Sequence, residues 1–135
     1  MGSDRGRARW RELSGTRSVD VSPLRGEVWL IDFGDPVGRE KADRRAAVVV
    51  SADALNESQA GVVIVVPTTT TRRGLPSHVE IERGPSGLDD VSYAKCEDIK
   101  SISEQRLVSR LGSIEHEVLS QIERVLSFLL ELRPL

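Results

Sequence analysis

One cysteine, Cys96, in a chain of 135 residues leaves no intramolecular disulfide and no zinc module built on several thiolates. A lone thiol fits a reducing cytosol, and its apolar strand setting reads as a buried structural group rather than a nucleophile. No run approaches the roughly 20 apolar residues of a membrane span, so no membrane association is expected. The first residues carry Arg5, Arg7, Arg9, Arg11 and Arg17 without an apolar core segment, which is not the pattern of a secretory signal, and a cytoplasmic location is expected. Charge of one sign is missing too: the net charge is -2. A protein that coats duplex DNA non-specifically is usually basic overall, whereas a short single strand needs only a local basic groove. Internal repeats, low-complexity tracts and clusters of metal ligands are absent, and no metal or other cofactor is expected.

With 39% hydrophobic and 30% charged residues, the chain has the balance of one ordinary globular domain, long enough to bury a core without staples. Residues 1–24 mix Gly, Arg and Ser with isolated Trp10 and Leu13 and show no sustained period, so they read as a flexible basic arm ahead of a domain over 25–135. Two readings stand for the arm. Arg7-Ala8-Arg9-Trp10-Arg11 has charge for phosphate and an indole for stacking, yet such arms are commonly solvated tails.

Beyond Arg25-Gly26-Glu27 the chain turns apolar and β-branched. Val28 to Phe33 reads as a first core strand that ends at Gly34-Asp35-Pro36. Val37 to Asp43, with Gly38, Arg39, Glu40 and Lys41, reads as a loop long enough to move over a site. Ala46 to Val50 and Val62 to Val66 are too short for globular helices and read as buried strands, with room for a helical turn in Ser51 to Glu57. His78 to Glu82 alternates, Val79 and Ile81 inward, Glu80 and Glu82 toward water. Val91 to Ile99 reads as one fifth strand, Ser103 as the cap of a short turn through Leu107, and Val108 to Ile114 as the last strand.

A terminal helix is predicted from Leu119, Ile122, Leu126 and Leu129, a stripe widened by Val118, Val125 and Leu132. Glu115 and Glu117 suit its positive end, and Pro134 lies past its finish. The stripe is wider than one packing face needs, which suits packing on the sheet and against a second chain. Closely spaced strands with one terminal helix predict a small, largely antiparallel β-barrel of the α+β class, mainly β.

Function concentrates between Arg44 and Arg73. Arg44-Arg45 enters one predicted strand; Thr68-Thr69-Thr70-Thr71 and Arg72-Arg73 leave the next. If those strands are neighbours, a guanidinium and several hydroxyls meet at one end of a sheet, a setting that suits a phosphate. Each residue also has a plain reading. An arginine beside a strand is usually solvated or salt-bridged, and threonines favour strands by propensity alone. Alternation sets Thr68 and Thr70 opposite Thr69 and Thr71, so only one pair can line a site. Arg72 and Arg73 are turn charges or phosphate contacts, and His116, at the helix start, is a surface residue.

Five segments, in this order and spacing, resemble the MazF/PemK/Kid family of toxin endoribonucleases: Arg25-Gly26-Glu27-Val28-Trp29, Gly38-Arg39-Glu40, Arg45 to Ser51, Val66-Pro67-Thr68-Thr69-Thr70, and Lys95 to Ile102. The resemblance covers roughly residues 25 to 132. It implies a Src-homology-3-like barrel with a C-terminal helix, usually a homodimer, that cuts single-stranded RNA within short sequences, needs no metal and is silenced by a cognate antitoxin. It implies Arg45 as catalytic arginine, Thr69 as catalytic threonine, Glu40 as the loop glutamate, and Glu97 as the acidic residue with Lys95 as its basic neighbour. Arg44, Thr70, Arg72, Arg73 and His78 join Glu40 and Lys95 as candidate substrate contacts. Two positions depart from the pattern. Ala46 stands where the family usually has proline, restoring an N–H and freeing φ, and Glu97 is one methylene longer than the usual aspartate.

In metal-free RNA cleavage the 2'-hydroxyl attacks the adjacent phosphorus, leaving a cyclic phosphate and a 5'-hydroxyl. Arg45 would steady the charge on the non-bridging oxygens and Thr69 would hold the phosphate in line, with Glu97 as first candidate for the proton acceptor and His78 as second. Two alternatives use the same barrel: a CcdB-like poison that binds DNA gyrase through its helix without hydrolysis, which Arg45 and Thr69 argue against, and a catalytically dead RNA-binding module.

Overall fold

Val48, Val49, Val63, Val65 and Val66 are all fully buried, so neighbouring side chains on opposite faces of one strand both lie in apolar surroundings. A sheet covered on both faces explains why these runs are continuously apolar instead of alternating. The structure is a computed structural model that describes residues 22–34 and 43–133. Its elements are β1 (Glu27–Asp32), β2 (Arg44–Val49), α1 (Asp53–Asn56), β3 (Val62–Thr69), β4 (His78–Ile81), β5 (Ser92–Lys95), β6 (Lys100–Ser103), β7 (Leu107–Ser113) and α2 (His116–Leu129), with 3-10 turns at Cys96–Asp98 and Glu104–Arg106. The strands form one seven-stranded sheet in the order β4-β5-β3-β2-β1-β7, with β6 also on β3. Every ladder is antiparallel, the mainly β, barrel-like α+β architecture expected.

β3 is the hub. One edge pairs with β2; the other is shared, with β6 along Val62 to Val65 and β5 along Thr68 and Thr69. The expected single strand over Val91 to Ile99 is therefore corrected. The chain leaves β3 at the turn Cys96–Asp98 and rejoins it as β6, because one continuous strand cannot follow both halves of a strand that crosses from one sheet region into another. The expected end of β3 at Val66 is corrected too, since the strand runs through Pro67 to Thr69. The Ile64 carbonyl accepts from Val50 N–H on the β2 side. Two-residue alternation then aims the Pro67 nitrogen at the other edge, in the gap between β6 and β5, where no N–H is required.

Two cores result. On one face Val28, Val48, Val66, Val79, Ile81, Ala94 and Cys96 pack beneath Ile122 and Leu126 of α2; on the other Trp29, Ile31, Ala47, Val49, Val63, Val65 and Ile102 pack with Phe33 and Leu107. The helix stops at Leu129, so Leu132 lies past its end and is exposed, as are Phe128, Leu129 and Leu130. The short turn expected after Ser103 is present, its Oγ accepting from Gln105 N–H.

The start of the domain is tied down by side chains of the first motif. Arg25 donates its backbone N–H to Asp53 and pairs its guanidinium with Glu123 on α2. Glu27 is 8% exposed; its carboxylate accepts from Leu24 N–H at 2.7 Å, Trp29 Nε1 at 3.0 Å and Arg110 Nε at 2.6 Å, clasping β1 to β7. Burial alone would push its pKa up, but the hydrogen bonds from Leu24, Trp29 and Arg110 and the Arg110 charge together bring it below the ordinary value.

A folded-state pKa below the unfolded one adds stability that is present above the unfolded pKa and lost as pH falls through the folded pKa. Glu27→Gln should cost roughly 1–3 kcal/mol at pH 7 in urea unfolding, with the gap to wild type closing as the pH drops into the acid range. A Cβ on Gly112 would come within 2.2 Å of the Pro85 carbonyl oxygen and 2.5 Å of the Ser86 carbonyl carbon, backbone atoms that cannot swing aside. Gly112→Ala should cost roughly 1–3 kcal/mol or more and lower the melting temperature visibly. Gly61→Ala, with φ +73° and open space around it, should cost only about 1 kcal/mol.

Candidate active site

The ladder between β2 and β3 includes Ala47 opposite Pro67. Carried on at the same offset, it sets Arg45 abreast of Thr69, and the Thr68 Oγ1 bond to the Ala46 carbonyl at 2.9 Å obeys that offset. Arg45 lies two residues from Ala47 and Thr69 four from Val65; Ala47 and Val65 share one core face, so Arg45 and Thr69 also point to one side of the sheet, at its open end. Thr68 points to the other side and is buried. The hydroxyl of Thr69 accepts from Thr71 N–H at 3.1 Å, which leaves its own proton to donate outward.

Arg45 is held by neighbours on β1. Phe33 N–H donates to the Asp43 carbonyl at 2.8 Å, continuing the β1–β2 ladder past Ile31 and Arg45. The guanidinium carbon stands 4.7 Å from the Phe33 ring centroid, and Nε lies 3.3 Å from Asp43 Oδ1. The Arg45 side chain remains 37% exposed, and among the described residues its Nε has ion-pair contact but no hydrogen-bond acceptor. Lys100 approaches the same ring, with Nζ 5.3 Å from the centroid. Tyr93 pairs directly with Thr69 across β3–β5 and with Glu80 across β5–β4. Arg45, Thr69, Tyr93 and Glu80 thus form one row across four strands.

Two residues along β5 from Tyr93, Lys95 pairs with His78. His78 Nε2 lies 3.0 Å from Glu97 Oε2 on the 3-10 turn; the imidazole is 4% exposed, and its buried Nδ1 has no hydrogen-bond partner among the described residues. Burial would push Glu97 up, but hydrogen bonds with Ser77 and His78 outweigh it, so the carboxyl sits below its ordinary value and is ionised at neutral pH. Lys95 is engaged with Asp98 at 2.9 Å. Cys96 is fully buried, its thiol pushed up to about 11 by burial and then by the Glu97 charge, as suits an inert core group.

The remaining sequence candidates scatter. Arg44 is exposed and alternates to the face opposite Arg45; Thr70, Arg72 and Arg73 are exposed beyond the end of β3. Glu40 and most of its loop lie outside the described residues, as do residues 1–21 of the arm. His116 is exposed, as expected. Sequence reasoning missed Phe33, Lys100 and Tyr93. The alternation of Trp29, Ile31 and Phe33 does place the phenyl ring on the Arg45 side, but only the strand register shows which cations it meets. Among the described residues no group of three or more His, Cys, Asp or Glu side chains is arranged to hold a metal ion, and no helix is long and apolar enough to cross a membrane.

Residues 24–130 match the profile of a family described as PemK-like, MazF-like toxin of type II toxin-antitoxin system. The chain is 34% identical over 113 residues to "Endoribonuclease MazF9" of Mycobacterium tuberculosis, covering 80% of this chain and 96% of that protein. It is 28% identical over 109 residues to "Endoribonuclease EndoA" of Bacillus subtilis, covering 80% and 94%. A solved mycobacterial structure described as an endoribonuclease in complex with its cognate antitoxin superposes with a TM-score of 0.68 at 30% identity, covering 84% of this chain and all of that one. These likenesses lend no support to the gyrase-poison alternative.

Proposed function

The chain belongs to the PemK-like, MazF-like toxin family of type II toxin-antitoxin systems, and from that premise we propose that it is an endoribonuclease that cuts single-stranded RNA at the Arg45–Thr69 site. The observation that carries this reading is the placement of a partly exposed guanidinium and an outward-donating hydroxyl side by side at one sheet end. RNA supplies its own nucleophile: the 2'-oxygen bonds to phosphorus as the bond to the 5'-oxygen breaks, giving a 2',3'-cyclic phosphate and a 5'-hydroxyl. Charge builds on the non-bridging oxygens. Arg45, cationic at any working pH, presents a planar fork to them, and Thr69 adds a neutral donor that fixes the phosphate in line.

The 2'-hydroxyl proton needs an acceptor, and the departing 5'-oxygen, which takes its proton from solvent water, leaves as a hydroxyl. Glu97 takes the first role in this scheme, because it is the exposed half of its pair with His78. A carboxylate held below its ordinary value is a weak base, so its share is smaller than that of Arg45. The wider reading includes a cognate antitoxin that silences the enzyme, action in the cytoplasm where RNA is made, and a homodimer, which the exposed Phe128, Leu129, Leu130 and Leu132 favour.

Purified protein should cut a defined single-stranded RNA in excess chelator and leave cyclic-phosphate and 5'-hydroxyl ends. Arg45→Ala should lower the single-turnover rate by about 10² to 10³, and Glu97→Gln should lower it less. Undiminished cleavage by Arg45→Ala, or trapping of gyrase on DNA with RNA left intact, would overturn the proposal.

A further inference from the structure

The aromatic ring under Arg45 has no part in the chemistry just described, yet it touches both cations of the site. Phe33 sits in the face-sharing series Trp29, Ile31, Phe33, and packs at the rim of the core with Leu107. Its backbone is fixed by the bond to Asp43. One ring therefore presents a fixed π-surface to the Arg45 guanidinium at 4.7 Å and the Lys100 ammonium at 5.3 Å. Lys100 comes from β6, whose register against Val65 puts it on the same face as Ile102 and the second core. Two like charges drawn to one ring repel, and among the described residues Asp43 alone is in ion-pair contact with either. An anion entering beside them is therefore favoured.

We propose that Phe33 is a positioning residue that aligns the Arg45 guanidinium on the scissile phosphate, and that Lys100, steadied by the same ring, binds a neighbouring phosphate of the same RNA strand. The inference rests on the endoribonuclease reading above. Arg45 has four rotatable side-chain bonds, and its ion pair with Asp43 restrains only Nε. The ring supplies a planar surface against which the guanidinium lies, so the fork is oriented before RNA arrives. A small misplacement of such a group costs up to about 10² in rate even when binding persists.

The full chain is assayed by single-turnover cleavage and by the side-chain Nε–H resonance of Arg45, which a nearby ring displaces. Phe33→Leu, which keeps apolar bulk against the second core, should lower the rate about 10- to 100-fold with KM within about twofold and little change in melting temperature. Phe33→Tyr should restore most of the rate, and the Arg45 resonance should move toward its solvent-exposed position only in Phe33→Leu. Lys100→Gln should weaken binding of a non-cleavable 2'-deoxy analogue of the RNA and reduce the slope of log affinity against log salt by about 0.7. An unchanged rate in Phe33→Leu, or a loss that Phe33→Tyr does not rescue and that follows melting temperature, overturns the role of Phe33. An unchanged salt slope in Lys100→Gln overturns the second phosphate contact. If the wild-type protein cuts no RNA, the endoribonuclease reading falls, and the Arg45 resonance still decides whether Phe33 orients it: unmoved by Phe33→Leu, it overturns the inference.

Discussion

Burial of β3 on both faces is the constraint from which the rest of the fold follows. Its valines leave no polar face, so apolar layers must cover both sides, and its backbone groups must be satisfied along two edges. The chain answers with β2 on one edge and with β5 and β6 in succession on the other. The buried stretch runs through Pro67 and Thr68 and ends at Thr69. Polar side chains therefore collect at the end of β3, where Arg45 and Tyr93 stand level with Thr69, while His78, opposite Lys95, and Glu97 lie further back.

A charged side chain cannot be buried unpaired, so a guanidinium near this core has few options. Arg45 lays its guanidinium over the Phe33 ring, sets Nε beside Asp43 and remains partly exposed. The same logic separates the site's two acidic groups. Asp43 partners a cation, while Glu97, drawn below its ordinary value by Ser77 and His78, stays partly exposed on the turn after β5.

Much of this was legible from residue order. The valine runs gave strands, the leucine stripe gave the helix, and Ser103 gave its turn, because each signal is local. The bend at Cys96–Asp98 was not legible, since nothing within Val91 to Ile99 records that β3 accepts two partners on one edge. Pro67 misled for a related reason: proline argues against a central strand unless the unpaired position is known, and that position is set by strands more than twenty residues away. At the site, Arg45 and Thr69 were readable from motif and alternation. Phe33 and Lys100 were not, because they meet only through the register of three ladders. The Ala46 departure has a structural counterpart: its carbonyl is capped by Thr68, so the strand entry is secured from β3 without a pyrrolidine ring.

The clasp between the two ends of the domain governs the order in which this protein can mature. β1 is completed by β7, and Arg25 reaches Glu123 on α2, so β1 cannot close its contacts before α2 is in place. Until that helix emerges, Val28, Val48 and Val66 have no cover from Ile122 and Leu126.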